Sequence, residues 1–401
     1  MHRRHVPRAG LRTLALAVMA AIAYVDPGNF AVNVAAGAEH GYTLVWVVVG
    51  ASLTASVVQY LAAKLGIATG RSLAENCRER YGRGWRRLLW LQAELVVIMT
   101  DLAELVGGAF ALYLLFGIPL VWGALIVAVF GFVLLALRVR GHEGFRPVLL
   151  ALFALIVALL VGELVIAGVD GPAFARGLVP RPLDGSAALL AVGIIGATVM
   201  PHALHFHSAV AREDSHPEDA VKLAAAGRAR RAIALAMSLA ALANVSLVLI
   251  AARLPTEAAG GLGEAYAAIG AVLGQVAAVG FGLALLASGL SSTIVGIYTG
   301  QVVMQGFWTR PLSLWLRRLL AVVPPLGILL AGVDPTTALV LSQVVLSFGL
   351  PLNLLPLVLL TSRRSVMGRL VNRPVTTVFE EYADGGRVVL PGGYQIVTAR
   401  R

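Results

Sequence analysis

Long apolar stretches, separated by short polar segments, make up most of the chain. A helix that crosses a hydrocarbon core of about 30 Å needs about 20 mainly apolar residues, and ten stretches predict such helices. Their predicted ranges are 11–36, 42–66, 88–115, 119–137, 147–168, 187–211, 230–252, 268–304, 314–332 and 336–361. The pattern therefore predicts an all-α polytopic membrane protein that lies in a lipid bilayer.

The first predicted span is interrupted near its middle by a polar sequence. The stretch A-Y-V-D-P-G-N-F places the four residues from Asp26 to Asn29 at a depth where the chain would otherwise meet lipid. Proline removes a backbone donor and glycine disfavours helix, so we expect a broken helix in which the carbonyls from Tyr24 to Pro27 lose their helical partners. An aspartate at this depth is costly and marks a substrate or ion pathway.

A second break is predicted in the sixth span, where the β-branched Thr198 and Val199 precede Met200 and Pro201. It lies five spans after the first break. Five helices repeated in inverted orientation would give this spacing, because an odd number of spans inverts the second copy. A proline kink in an ordinary membrane helix would explain either break alone, whereas the pair predicts a transport site at the membrane midplane.

Charge and composition limit the classes of protein to which the chain can belong. Of 401 residues, 58% are hydrophobic and 13% are charged, which excludes an ordinary soluble domain. A net charge of +11 would suit nucleic acid, but the basic residues lie in short loops, so we expect no nucleic-acid partner. The single cysteine, Cys77, excludes an intramolecular disulfide and a thiolate metal cluster.

The distribution of basic residues predicts the orientation. With a cytoplasmic amino terminus, only Arg176, Arg181 and Arg253 of the 32 Lys and Arg residues lie outside, which leaves 29 inside. We therefore expect a multi-pass protein of the cytoplasmic membrane with both termini in the cytoplasm.

The two breaks combine three kinds of metal ligand. Asp26 supplies an anionic oxygen, Asn29 a neutral oxygen and Met200 a thioether. Oxygen ligands alone suit magnesium or calcium, and an added thioether favours softer divalent ions such as manganese and iron. A methionine in a membrane helix is usually apolar filler, so this interpretation rests on its position directly before Pro201. His202 follows at the same break, either as a proton-linked group or as a structural histidine.

The third span carries three acidic residues, Glu94, Asp101 and Glu104, in an otherwise apolar helix. At 100° per residue they fall within one sector, so they face the bundle and predict a proton relay. Alternatively, one or two of them only hydrogen-bond to neighbouring helices. Arg317 and Arg318 would either pair with these carboxylates or extend to the membrane interface.

Several motifs resemble the signatures of a known family. D-P-G-N at 26–29 and A-T-V-M-P-H at 197–202 resemble those of the natural resistance-associated macrophage protein (Nramp) family of proton-coupled divalent metal transporters. Three further stretches agree with the same family: A-T-G-R-S-L-A-E at 68–75, T-D-L-A-E at 100–104 and G-Q-V-V-M-Q-G-F at 300–307. The resemblance runs from about residue 12 to residue 369.

This resemblance implies the leucine-transporter fold, with two inverted repeats of five helices and helices 1 and 6 broken at the midplane. It implies metal binding by the side chains of Asp26, Asn29 and Met200, with help from Gln343. It also implies backbone carbonyl ligands, which vary with conformation, at Ala23 and Ala197. Residues implied for the proton pathway are Asp101, Glu104, His202, Arg317 and Arg318, to which the span pattern adds Glu94.

The implied activity is secondary active import of a divalent metal with protons by alternating access. Relatives selective for magnesium or aluminium lack the methionine, so Met200 implies the manganese and iron branch. The expected substrates are Mn²⁺, Fe²⁺ or a related ion together with H⁺. No catalytic residue, permanently bound cofactor or obligate protein partner is expected.

We expect the chain to divide into a first repeat at 1–168, a second at 187–361 and a polar cytoplasmic tail at 362–401. The tail takes the place of the extra helix usual in the family. Its sequence predicts a hairpin with a turn at 384–386.

Two alternatives to divalent metal transport remain open. One is a transporter of the same fold for another cation or a small organic solute, although Asp26 would repel a carboxylate. The other is an intramembrane metalloenzyme, suggested by H-A-L-H-F-H at 202–207, but the chain contains no H-E-x-x-H.

Overall fold

The computed structural model describes residues 6–139, 145–308, 313–372, 383–384, 387–389 and 395–397. Nearly all of them are helical. The elements of the first half are α1 (Val6–Ile22), a 3-10 turn (Ala23–Val25), α2 (Pro27–His40), α3 (Val45–Thr69), α4 (Leu73–Arg80), α5 (Arg83–Phe116), α6 (Leu120–Val139), α7 (Phe145–Ala167) and α8 (Gly171–Gly177).

The second half continues in the same way. Its helices are α9 (Gly185–Thr198), α10 (Pro201–Ala211), α11 (Asp219–Ala251), α12 (Leu262–Val272), α13 (Gln275–Phe307), α14 (Leu314–Leu330), α15 (Pro335–Thr361) and α16 (Arg364–Met367). Short 3-10 turns lie at Arg212–Asp214, Thr256–Gly260 and Gly368–Leu370.

Within the described residues, seven helices are long and apolar enough to cross a membrane, and the bent pair α1 and α2 makes an eighth span. These eight correspond to eight of the ten predicted spans. The fourth and ninth predictions coincide with α6 and α14, which do not meet the same length and hydropathy test in the part described.

The predicted span 268–304 was wrong at its start. Helix α12 ends at Val272 and α13 begins at Gln275, so a break separates two apolar helices. Gly274 adopts a φ of 98° at this point, which a residue with a Cβ atom rarely adopts. The first residues of the predicted span therefore belong to a separate short helix.

The first break contains fewer non-helical residues than the sequence predicts. Helices α1 and α2 bend by 50°, but only Asp26 is extended, with φ −85° and ψ 171°. Pro27 begins α2, because a helix tolerates proline in its first turn, where its missing N–H has no helical partner to lose. Gly28 and Asn29 are therefore helical, and Asp26 becomes the N-cap.

Small residues let the long helices approach one another closely. Helix α5 packs along α13, where Gly289 lies so close to Gly108 that an added Cβ atom would be 2.9 Å from its Cα. Such close approach replaces hydrophobic collapse as a source of packing energy in lipid. The third-span carboxylates thereby lie against α13.

Helix α4 forms a short connection between α3 and α5. It begins with a capping box, in which Ser72 and Glu75 bond to each other's backbone N–H groups. Arg212 extends to Glu75 at 2.9 Å, and Cys77 is buried. The motif at 68–75 therefore builds a fixed turn outside the spans.

The tail contains an antiparallel three-stranded sheet of β1 (Ala383–Asp384), β2 (Arg387–Val389) and β3 (Gln395–Val397), in that order. Asp384 pairs with Arg387 across the connection, which agrees with the predicted hairpin. The remaining turn residues, 385–386, lie outside the described residues.

Candidate metal site and proton pathway

Asp26 lies between the two halves of the first span and is 1% exposed. Its Oδ1 accepts hydrogen bonds at 2.8 Å from the backbone N and from Nδ2 of Asn29. The carboxylate therefore lies at the positive end of α2. One oxygen is used for capping, and the other remains available.

The side chain of Asn29 joins the two breaks. Its Nδ2 also donates to the carbonyl of Ala197, the last residue but one of α9, at 3.0 Å. Two segments 168 residues apart in sequence thus meet at one point. The structure brings together the predicted residues Asp26, Asn29 and Ala197.

Several buried oxygens at the two breaks lack a hydrogen-bond partner among the described residues, and three of them belong to implied ligand residues. These three are Oδ2 of Asp26, Oδ1 of Asn29 and Oε1 of Gln343. A buried polar atom without a partner costs about 1–3 kcal/mol, so such atoms rarely remain unless they serve a purpose. All three are hard oxygen ligands that suit a divalent cation.

Gln343 of α15 reaches both breaks because two glycines leave it room. A Cβ atom on Gly28 would collide with the Gln343 side chain, and one on Gly196 would collide with the Gln343 backbone carbonyl. These close approaches place α15 between α2 and α9. The structure therefore agrees with the predicted position of Gln343 beside the site.

Met200 is fully buried and extended, at the N-cap position of α10, with Pro201 in the first helical turn. Ala23, the other implied carbonyl ligand, opens the 3-10 turn of the first break. In the part of the chain that the structure describes, three or more His, Cys, Asp or Glu side chains nowhere form a cluster that could hold a metal.

The carbonyls of the first break find new partners, which sequence analysis missed. Tyr24 O accepts from Nδ2 of Asn244 and Val25 O from the hydroxyl of Ser288, both at 2.7 Å. We expected these two carbonyls to lose their helical partners. The structure adds that side chains of α11 and α13 supply replacement donors. An isolated asparagine and serine in apolar helices were the available signal.

Gln59 of α3 is another residue that sequence analysis missed. Its Oε1 accepts from the Tyr24 hydroxyl at 2.9 Å, and both side chains are buried. The bond fixes the ring directly before the break. A single glutamine in the apolar helix α3 was the signal for it.

The third-span carboxylates meet the arginines of α14. Arg318 is 2% exposed, and its guanidinium donates to Asp101 at 3.0 Å. Arg317 lies 3.4 Å from Glu94. Of the two alternatives for these arginines, the structure shows the pairing with carboxylates, and Arg318 does not extend to the membrane interface.

Glu104 differs from the other two carboxylates because it forms no ion pair with any residue that the structure describes. Both of its oxygens are buried without a hydrogen-bond partner among the described residues. They lie against α13, where a Cβ atom on Gly296 would be 2.7 Å from each. A carboxyl group that is buried without a counter-charge is suited to hold a proton.

The histidines of α10 bind to different neighbours. His202 Nδ1 lies 3.2 Å from the hydroxyl of Thr100 on α5, next to Asp101. His205 Nε2 lies 2.8 Å from Asn353, which also donates to Gln92 at 2.9 Å. Both alternatives for His202 stay open, since this contact suits either a proton-linked group or a structural one.

The chain is similar to known proteins along most of its length. The model of the family described as "Natural resistance-associated macrophage protein-like" matches residues 17–383. The divalent metal cation transporter MntH of Deinococcus radiodurans is 47% identical over 373 residues, which cover 90% of this chain and 84% of that protein. MntH of Yersinia pestis is 42% identical over 381 residues, which cover 94% and 92%.

Solved structures show the same architecture. A manganese transporter of Eremococcus coleocola, in complex with an aromatic bis-isothiourea substituted compound, aligns with a TM-score of 0.82 at 29% identity, covering 94% of this chain and 84% of that one. MhsT in complex with L-phenylalanine aligns with a TM-score of 0.58 at 15% identity, covering 90% and 93%. At that identity the second likeness concerns the fold alone.

Proposed function

Because the chain belongs to the natural resistance-associated macrophage protein family, we propose that it imports divalent transition-metal ions together with protons. It is a multi-pass membrane transporter with the leucine-transporter fold, built of two inverted five-helix repeats. Its proposed location is the cytoplasmic membrane, with both termini inside. Import proceeds by alternating access and needs no resident cofactor.

One observation carries this proposal. Asp26, Asn29 and Gln343 each bring a buried oxygen without a partner among the described residues to the junction of the two broken spans. The buried thioether residue Met200 is the N-cap of the half-helix that follows the second break. Hard oxygens suit Mn²⁺ and Fe²⁺, and sulfur adds preference for these ions over Mg²⁺ and Ca²⁺. The carbonyls of Ala23 and Ala197 complete the proposed ligand set as the conformation changes.

The position of the ligands suits alternating access. Asp26 and Met200 each lie between two half-helices, one in each repeat. A tilt of one repeat against the other would therefore move ligands at the site and change which side of the membrane it faces. Each ligand residue can keep its local backbone conformation during this change.

The buried acidic groups of α5 support proton coupling. Glu104 is the unpaired group, and the Asp101–Arg318 ion pair lies one turn before it. We propose that a proton passes along this helix through these groups and reaches Glu94 and Arg317. His202, beside Thr100, links the path to the second break.

Replacement of Asp26 by Ala tests the metal site. We expect uptake of Mn²⁺ into proteoliposomes to be lost, since the only anionic ligand of the set is removed. Asp170→Ala is the control, because this exposed aspartate caps α8 outside the spans. Uptake by a folded Asp26→Ala protein at the rate of the control would reject the site.

The same assay separates the alternatives. A transporter of organic solutes, like the fold relative bound to L-phenylalanine, would accumulate an amino acid and ignore Mn²⁺. Asp26 argues against that substrate because its carboxylate would repel another carboxylate. Family membership argues against the metalloenzyme, since the family members are transporters.

A further inference from the structure

A small pocket lies where the start of α5 meets the end of α13. It has a volume of about 70 Å³ and is lined by Arg86, Arg87, Trp90, Phe307 and Trp308. This volume exceeds that of two water molecules in the liquid, at about 30 Å³ each. None of these residues takes part in the proposed metal or proton pathway.

Two positive charges face this pocket without a counter-charge. The Arg86 and Arg87 guanidinium groups have no hydrogen bond or ion pair with any residue that the structure describes. Other arginines nearby are bound, for example Arg80 to Asn76 and Arg212 to Glu75. Two adjacent cations repel each other, and an anion that bridges them relieves the repulsion.

An exposed apolar surface of α5 lies beside Arg87, which is one helical turn from Leu91. Leu88, Leu91 and Leu95 are 43%, 57% and 49% exposed and form one stripe along α5, directly beyond Arg87. Trp90 and Trp308 pack edge to face at 5.1 Å, and Trp308 is 44% exposed. Tryptophan and arginine together are typical of the level of lipid headgroups.

From these observations we propose that the pocket binds the phosphate of an anionic phospholipid. Arg86 and Arg87 hold the phosphate, and the acyl chains lie on the leucine stripe of α5. The lipid thereby connects the start of α5 to the end of α13. The lipid site shares no residue with the proposed metal site, so this proposal does not depend on metal binding.

Lipid titration tests the proposal. Purified protein in neutral detergent is titrated with phosphatidylglycerol or phosphatidylcholine, and bound lipid is counted by native mass spectrometry while the unfolding temperature is followed. We expect phosphatidylglycerol to bind more tightly and to raise the unfolding temperature. The double substitution Arg86→Gln and Arg87→Gln should weaken that binding by roughly tenfold or more.

Arg83→Gln is the matched control. It removes the same charge from the first turn of the same helix, but Arg83 does not line the pocket. Each single variant, Arg86→Gln or Arg87→Gln, should bind phosphatidylglycerol with an affinity between those of the wild type and the double variant. If the double variant does not fold, the single variants test the proposal.

Three results would overturn the proposal. The first is equal binding of the two lipids by the wild type. The second is an Arg83→Gln variant as impaired as the pocket variants. The third is stabilisation by inorganic phosphate alone that matches phosphatidylglycerol, which would identify a soluble-anion site.

Discussion

The two oxygens of Asp26 have different tasks. Oδ1 closes the first turn of α2, and Oδ2 is left without a partner beside the second break. Capping fixes the direction of the carboxylate, so the free oxygen points to a definite place without further support. A residue that is costly in a membrane is therefore also part of what holds the break in shape.

At the residue scale, Met200 should set the metal preference. Met200→Ala removes the sulfur and leaves an all-oxygen site with more room, so uptake of Cd²⁺ should fall while Ca²⁺ or Mg²⁺ begins to compete. Uptake of several metals into proteoliposomes measures both effects.

Met237→Ala is the matched control for this variant. Met237 is also buried, in α11, and each substitution should cost about 2–5 kcal/mol as a cavity. Only Met200→Ala should alter the selectivity. An unchanged order of Cd²⁺ over Ca²⁺ would reject the thioether as a ligand.

Glu104 offers a cleaner test of proton coupling than Asp101. Asp101→Asn would leave Arg318 buried without its charge partner, which typically costs about 3–5 kcal/mol. Glu104→Gln keeps the size of the side chain and breaks no ion pair, so proton uptake should fall several-fold while metal binding remains. A pH-sensitive dye inside the liposomes, read alongside metal uptake, measures the ratio.

Glu163→Gln controls for the loss of a buried carboxyl group. Glu163 of α7 is 3% exposed and has no hydrogen-bond partner among the described residues, but it lies against Gly280 on another part of α13. Equal loss of proton uptake in both variants would contradict a relay that depends on the carboxylates of α5.

The sequence shows that a polar residue lies inside an apolar span, but not which atom it hydrogen-bonds to. Asp26, Asn29 and Met200 were recognisable because they interrupt a pattern. Asn244 and Ser288 resemble ordinary small polar residues of membrane helices, and their carbonyl partners lie 220 and 263 residues away. Only the packing of α11 and α13 against the break reveals their role.

At the element scale, α13 should stabilise the first break through Ser288. Ser288→Ala leaves the buried carbonyl of Val25 without a donor, at a cost of about 1–3 kcal/mol, and should lower both the unfolding temperature and metal uptake. Ser246→Ala is the control, because among the described residues that hydroxyl bonds only to the carbonyl of Leu242 in its own helix. Equal destabilisation by the two variants would show that the contact between helices adds nothing.

The hydropathy pattern predicts that a helix is present more accurately than it predicts where the helix begins and ends. The break at Gly274 was missed because apolar residues lie on both sides of it, and only the backbone conformation separates α12 from α13. Helix α11 begins at Asp219, whereas the apolar signal predicts a start at 230. Polar helical turns beyond a span carry no hydrophobic signal.

At the scale of the whole molecule, the predicted orientation can be tested with two exposed alanines. Ala175 in α8 is predicted to lie outside and Ala220 in α11 inside. In intact cells, an impermeant thiol reagent should label Ala175→Cys and not Ala220→Cys. The reverse pattern would invert the topology, and labelling of both would refute the span count.

The native cysteine does not need to be removed for this experiment. Cys77 is 2% exposed, and burial raises the pKa of its thiol to about 12. At neutral pH it is almost entirely in the unreactive thiol form. The unmodified protein is therefore the blank.

The repeat boundaries at 1–168 and 187–361, and the role of the tail from 362, stay predictions. The spacing of the two breaks, five spans apart, predicted an inverted repeat, and the leucine-transporter fold itself was implied by the resemblance of the motifs to a known family. Ion pairs such as Arg318 with Asp101 could be predicted as partners, because buried charges rarely stay unpaired. Their exact pairing depended on how α14 packs against α5.

The Asn29 amide has a consequence for how tightly cargo is held. Its NH₂ group already bonds to Oδ1 of Asp26 and to the carbonyl of Ala197, so a metal that approaches either oxygen along the direction of this amide displaces it. Binding is then an exchange reaction, in which each bond given up lowers the affinity by roughly tenfold. The same amide re-forms its bonds as the ion departs, which favours release on the far side of the membrane.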